Sequence, residues 1–269
     1  MNIDRRALVS AILAVTAGRA QTARSDDEWS EFIVWVKQSS PGTFGYQAEA
    51  FPAYQKKLIG DGVRPGDAEA ITARLQKRSM DNPEWQAVIF DRIYRQAGDR
   101  FTRPDASLVE LARSLKAGKA IDVGMGQGRN ALFLAQQGWD VTGIDVSDLG
   151  VAEAKKRAEK LGVHIDARVQ DVYRYDFGEN RWDLVCLMYF IIPGTQPGLY
   201  QQIANAVKPG DHVIVEGTGL PPLQTLLAEV GKWLPTKLHV VRLEYRETEG
   251  GWGRRTDAPG AHMVLQKPS

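Results

Sequence analysis

From about Pro104 onward the sequence alternates amphipathic helical stretches with short β-branched or apolar runs, and no other feature narrows the possible folds as far. Leu108, Leu111, Ala112 and Leu115 mark a helix face that stops before Gly118, and Ala120-Ile-Asp-Val123 then reads as a buried strand. A helix from Arg129 to Gln137 is stopped by Gly138, and Val141 to Ile144 is the next strand. Ser147 caps a helix through Val151, Ala154 and Ala158 that ends at Leu161-Gly162. Strands follow at His164–Gln170 and Leu184–Ile191, then a helix from about Leu199 to Val207 and a Lys208-Pro209-Gly210 turn. His212–Glu216 is a fifth strand and Leu223–Trp233 the helix after it. Strands joined by helical crossovers run parallel with helices on both faces, so the spacing predicts an α/β fold with a doubly wound sheet. Leu238–Glu247 and His262–Gln266 have only a Gly-rich loop between them, which leaves no room for a crossover helix. They are predicted to pair as an antiparallel hairpin, giving a mostly parallel sheet of seven strands.

The region before Pro104 has a different character. Trp29, Phe32, Ile33 and Val36 share one helical face, Phe51, Tyr54 and Leu58 a second, and Ile71 and Leu75 a third. Asn82-Pro83 supplies a cap and a first-turn proline for a helix carrying Trp85, Ile89 and Ile93. Residues 26–103 are therefore expected to form a helical extension or lid, and residues 104–269 the main domain. Residues 1–25 read as a leader: Arg5-Arg6 precedes a short apolar run, Ala7 to Gly18, with small residues near Ala20 and Ala23. That run falls short of the roughly 20 residues of a bilayer-spanning helix, and the paired arginines resemble a twin-arginine export signal. No other stretch reads as membrane-spanning, and the compartment stays open.

Composition excludes several functions. With 34 basic and 33 acidic residues the formal charge is +1, so no global field favours nucleic acid, and a small-molecule partner is expected. A single cysteine, Cys186, lies in an apolar run and reads as a buried core thiol. The four histidines are scattered singly, without metal-ligand spacing, so no metal is expected.

In an open parallel sheet, ligands bind beyond the carboxyl ends of the strands, which directs attention to the loop after Val123. Gly124, Gly126 and Gly128 alternate there, letting the backbone turn tightly and approach a ligand closely. A dinucleotide turn wants its third glycine one residue later, where this chain has Arg129, and the carboxylate of Asp122 would repel a pyrophosphate. Asp145 ends the second strand, where an acceptor carboxylate can bind ribose hydroxyls. The spacing thus predicts a nucleoside carrying a positive group and no phosphate.

The run Ala120-Ile-Asp122-Val-Gly124-Met-Gly126-Gln-Gly128-Arg129-Asn130, followed by Gly138-Trp-Asp-Val-Thr-Gly-Ile-Asp145-Val-Ser, resembles the first two motifs of class I S-adenosylmethionine-dependent methyltransferases. Its Gly-Arg-Asn ending is similar to the branch of tellurite-resistance and thiopurine methyltransferases, and the likeness spans roughly Lys119 to Lys267. The resemblance implies S-adenosylmethionine as cofactor and a Rossmann-like methyltransferase fold. It implies that the three glycines line the donor's methionine part, with Arg129 and Asn130 completing that motif, and that Asp122 organises the amino end. Asp145 would hold the ribose, Val146 the adenine face, Asp171 and Val172 the adenine edge, and Met188 with Tyr189 the wall beside the sulfonium. Tyr189-Phe190-Ile-Ile-Pro193 departs from the Asn/Asp-Pro-Pro-Tyr signature, which argues against methylation of a base amine. Tyr94 and Phe101 are candidate lid residues, and the Gly250–Arg255 loop a candidate substrate cover. No catalytic base is identifiable. A nicotinamide-dependent oxidoreductase and a non-catalytic donor-binding protein remain alternatives.

Overall fold

The computed structural model describes residues 25–40, 42–44, 47–80, 82–98, 102–190, 197–217, 237–246 and 260–269. Residues 1–24 of the leader, Phe101, the predicted Leu223–Trp233 helix and the Gly250–Arg255 loop lie outside the described residues. The chain divides between Ile89 and Phe90 into two compact units.

The first unit contains α1 (residues 25–38), α2 (Ala50–Gly60), α3 (Pro65–Ser79) and the opening turns of α4 (Pro83–Ala97). Its core is aromatic, because the helix faces foreseen from periodicity carry rings. Phe32 is fully buried and lies 5.0–6.2 Å, centroid to centroid, from the rings of Trp29, Trp35, Phe51, Tyr54 and Trp85. Such tilted and offset pairs add to the area buried. Asn82 caps α4 by accepting from the Trp85 amide at 3.1 Å. Arg74 forms a forked pair with Glu28, joining α3 to α1.

The second unit is built on one seven-stranded sheet: β1 (Lys119–Val123), β2 (Asp140–Asp145), β3 (Asp166–Val169), β4 (Trp182–Met188), β5 (Val207–Gly217), β6 (His239–Arg246) and β7 (Gly260–Gln266). The order across the sheet is β3-β2-β1-β4-β5-β7-β6. The first five strands are parallel and β7 runs antiparallel to both neighbours. The antiparallel pair is thus as predicted, with β7 seated between β5 and β6. Helices α5 (Ala106–Ser114), α6 (Arg129–Gln136), α7 (Asp148–Leu161) and α8 (Pro197–Ala206) connect or precede the strands.

Alternate residues of each strand feed two cores. Ile121, Val123, Val185 and Leu187 pack with Leu199 and Ile203 of α8. Ala120, Leu184, Cys186 and Met188 pack with Leu108 and Leu111 of α5 and with α6 and α7. Cys186 is fully buried, as expected, and burial with the nearby Asp122 drives its thiol pKa well up.

Two local expectations are corrected. Lys208-Pro209-Gly210 is no turn between helix and strand; it lies inside β5, with Gly210 at φ +84° and a register irregularity opposite Trp182 and Leu184. Helix α8 ends at Ala206, so the strand starts at once at Val207 and takes up the proline where its register with β4 is irregular. The fourth strand stops at Met188, short of Ile191, because Tyr189 leaves the extended region at φ +60°.

Candidate functional site

The loop from Val123 to Arg129 is fixed by its own backbone and by two acids. The amides of Gly124 and Met125 both donate to the Ile144 carbonyl, at 2.8 and 3.1 Å, which ties the loop to β2. Gly124, Gly126 and Gly128 adopt φ of +70°, +55° and +81°, a region a side chain would strain. Asp145, at the end of β2, accepts from the Gly126 amide through Oδ2 and from the Ser147 amide through Oδ1, each at 2.8 Å. Asp122, on the neighbouring strand, accepts from the Ala131 amide of α6 at 3.1 Å.

Both acids are buried, at 1 % and 6 % exposure for Asp122 and Asp145, where an isolated negative charge is costly. Burial pushes Asp122 up to about 7 despite the pull of Arg129 and the Ala131 amide. It pushes Asp145 up to about 6 against the Ser147 and Gly126 amides. Two such carboxyl groups beside a glycine loop make a place where a cation is favoured.

Aromatic side chains meet this loop. A Cβ built on Gly126 would fall 2.5 Å from the Tyr94 hydroxyl oxygen, and one on Gly150 would fall 2.9 Å from the same ring. One on Gly124 would meet the Phe190 ring at 2.9 Å. Tyr94 is therefore packed on the loop, and burial together with Asp145 and Asp122 raises its phenol pKa well above the usual range. Asp91, one turn before Tyr94 on α4, accepts from the Ser147 hydroxyl and from the Leu149 amide. Sequence reasoning missed Asp91, which falls in no motif, and placed Phe190 only within the Tyr189–Pro193 segment without a role.

A second polar cluster lies next to the loop. Arg129 stands over the Tyr189 ring at 5.2 Å, with Nη2 3.9 Å from Asp105 Oδ2. Asn130 is buried, and its Oδ1 accepts from the Asp105 amide at 2.9 Å. Asp105 caps α5 through the Ser107 amide. Glu216, 2 % exposed near the end of β5, accepts from the Ser107 hydroxyl at 2.7 Å through Oε2 and from the Tyr189 hydroxyl at 2.7 Å through Oε1. His262 of β7 places Nδ1 2.9 Å from Glu216 Oε2. Donor atoms of Asp105, Glu216 and His262 lie within 4.8 Å of one another. Sequence spacing leaves the histidines isolated, since the cross-strand pairing of Glu216 with His262 is invisible to it. The one available signal was a glutamate ending an otherwise apolar strand, Val213-Ile-Val-Glu216.

The remaining expected residues are dispersed around this centre. Val146 is half-buried after Asp145, whereas Val172 and Met188 belong to the two cores. Asp171 caps a short 3-10 turn by accepting from the Tyr173 amide and lies 3.7 Å from the Arg174 Nε. Gly128 faces α7, where a Cβ would fall 2.9 Å from that of Ala154.

Residues 120–210 match a family described as methyltransferase domain. The chain is 30% identical over 148 residues to the ubiquinone biosynthesis O-methyltransferase of Pectobacterium atrosepticum, covering 52% of this chain and 61% of that protein. It is 31% identical over 110 residues to the probable S-adenosyl-L-methionine-dependent methyltransferase TehB of Haemophilus influenzae, covering 40% and 38%. The match thus spans less than two thirds of the length of these relatives. The solved structure of TehB from Haemophilus influenzae superposes with a TM-score of 0.51 at 18% identity, covering 66% of this chain and 67% of that one, a likeness of fold.

Proposed function

We propose, for a chain whose residues 120–210 match a methyltransferase-domain family, that it is a class I S-adenosylmethionine-dependent methyltransferase and moves a methyl group from S-adenosylmethionine to a small-molecule acceptor. The observation that carries this reading is the glycine loop between β1 and α6 joined to two buried carboxyl groups of raised pKa, Asp122 and Asp145.

The residues fit that donor. Backbone without Cβ atoms at Gly124 and Gly126 can be approached closely, and the aromatic rings of Phe190 and Tyr94 lie against it. The paired acids favour a cation and disfavour a pyrophosphate. When bound, the donor supplies an electrophilic methyl group on a positively charged sulfur. Gly124, Gly126 and Gly128 hold its methionine part, with Arg129 and Asn130 fixing the start of α6 beside it. Asp122 organises the amino end, Asp145 the ribose, and Val146, Asp171 and Val172 border the adenine. Met188, Tyr189 and Tyr94 wall the reacting centre, where aromatic faces suit positive charge. Alignment of acceptor with methyl group in a site closed to water supplies much of the rate of such a displacement.

Calorimetric titration tests the reading. S-adenosylmethionine is expected to bind with one site per chain, and nicotinamide dinucleotides are expected to give no heat. Gly126→Ala, which sets a methyl group against the Tyr94 hydroxyl at positive φ, and Asp145→Asn are each expected to weaken donor binding by about tenfold or more, about 1.4 kcal/mol. Binding of a dinucleotide in place of the sulfonium, or unchanged affinity in both variants, sinks the proposal.

A further inference from the structure

The cluster around Glu216 has more polar groups than the donor site needs, and its protons can be counted. The Ser107 hydroxyl lies 2.8 Å from Asp105 Oδ1 and 2.7 Å from Glu216 Oε2, yet it owns one proton. One of those two contacts therefore uses a carboxyl proton. Burial, and then the adjacent Glu216, raise Asp105, whereas hydrogen bonds from His262, Asp105, Tyr189 and Ser107 outweigh burial and keep Glu216 low. The shared proton sits on Asp105 and Glu216 is the anion.

An anionic Glu216 biases the tautomer of its neighbour. Nδ1 of His262 lies 2.9 Å from Oε2, and a carboxylate at that distance favours the imidazole proton on Nδ1 and leaves the lone pair on Nε2. His262 is 7 % exposed, and both its ring nitrogens are buried: Nδ1 lies at charge-pair distance from Glu216 but off hydrogen-bond geometry, and Nε2 has no partner among the described residues. A buried ring nitrogen without a partner is costly unless a ligand uses it. Charged or titratable groups around it are Glu216 and, across the other edge of β7, Glu244 of β6, with Asp105, Tyr189 and Arg129 behind Glu216. The cluster adjoins the donor loop through Arg129, the residue after Gly128, and through Tyr189, the residue before the Phe190 that packs on Gly124.

We propose that His262 is the general base of this enzyme, set up by Glu216 with Tyr189, Ser107 and Asp105 as positioning residues, and that the acceptor is accordingly a hydroxyl group of a phenol-like molecule. The inference rests on the methyl-transfer reading above. In the step, the acceptor O–H bond breaks and its proton passes to His262 Nε2. The oxygen forms a bond to the methyl carbon as the carbon–sulfur bond breaks, and sulfur keeps that electron pair. A thiolate acceptor would need no such base, whereas a phenol is largely protonated at neutral pH.

The test uses the full chain with phenol, 4-nitrophenol and thiophenol as acceptor probes, beside calorimetry with S-adenosylmethionine. Wild type is expected to methylate phenol, and His262→Gln to lose that activity about 100-fold or more while keeping donor affinity and thiophenol turnover. The more acidic 4-nitrophenol loses less, and the rise of kcat with pH for phenol disappears. Independently of turnover, phenol added to the wild-type S-adenosylhomocysteine complex is expected to shift the His262 Nε2 resonance in nitrogen-15 spectra. An unmoved Nε2 resonance, phenol turnover unchanged in His262→Gln, methylation of thiophenol alone, or no probe methylated despite donor binding overturns the assignment. So does stoichiometric Zn²⁺ uptake lost in His262→Gln, which would make Asp105, Glu216 and His262 a metal site. Failure of S-adenosylmethionine to bind at all strikes the underlying reading instead.

Discussion

Buried carboxyl groups set the character of this molecule at single residues. Asp122 is held on β1 with one amide partner, and its folded pKa of about 7 lies above the 3.8 of a solvated aspartate. The folded protein therefore retains a proton that the unfolded chain releases between those values. Stability from this group is complete below the lower value and is lost as pH rises through the higher one. Asp145, raised to about 6, acts in the same direction. In the ligand-free protein, Asp122→Asn should flatten the fall of stability between about pH 4 and 7 and make the variant more stable than wild type at pH 8, by about 1 kcal/mol or more. Urea unfolding at several pH values checks this; parallel curves for the two proteins would show that Asp122 is ionised at no cost. The acids themselves were legible, because each stands at a strand end beside a motif. Their pKa values were not, because burial is set by what packs around them.

Turns and caps decide how the elements meet. Gly128 closes the loop at φ +81° and brings α6 against α7, where Ala154 leaves no room for a Cβ. Gly128→Ala thus combines backbone strain with overpacking and is expected to cost about 2–4 kcal/mol. Ser147 begins α7 by accepting from the Gly150 amide and also donates to Asp91 on α4. Ser147→Ala should cost about 1–2 kcal/mol, the upper end of a lost cap. Thermal denaturation ranks the two, and a Gly128→Ala protein as stable as Ser147→Ala would contradict the packing account. Gly128 also answers the spacing argument made from sequence. The close helix packing that a dinucleotide turn obtains from a glycine one residue later is supplied here by Gly128 against α7, which leaves position 129 to a long cation over Tyr189.

At the scale of the whole molecule, β7 is the strand on which the second unit's sheet depends. It is sandwiched between β5 and β6, so β6 reaches the rest of the sheet only through it. Deleting residues from Gly260 onward would leave β5 an apolar edge and β6 without a ladder. The truncated protein is expected to aggregate and to lose cooperative melting by circular dichroism; an unchanged transition would remove β7 from that role. The alternation of strands and helices, the antiparallel closing pair, the glycine loop and the acids at its ends could all be read in the sequence, since period, turn chemistry and motif spacing act over a few residues. The register irregularity at Pro209 could not, because it depends on where α8 ends and β5 begins. Nor could the grouping of Asp105, Tyr189, Glu216 and His262, whose members come from the cap of α5, the end of β4, and paired positions on β5 and β7. Local periodicity fixed which residues form strands and helices. Only the strand order brought these distant polar groups together in a space dry enough for their charges to bind one another and not water.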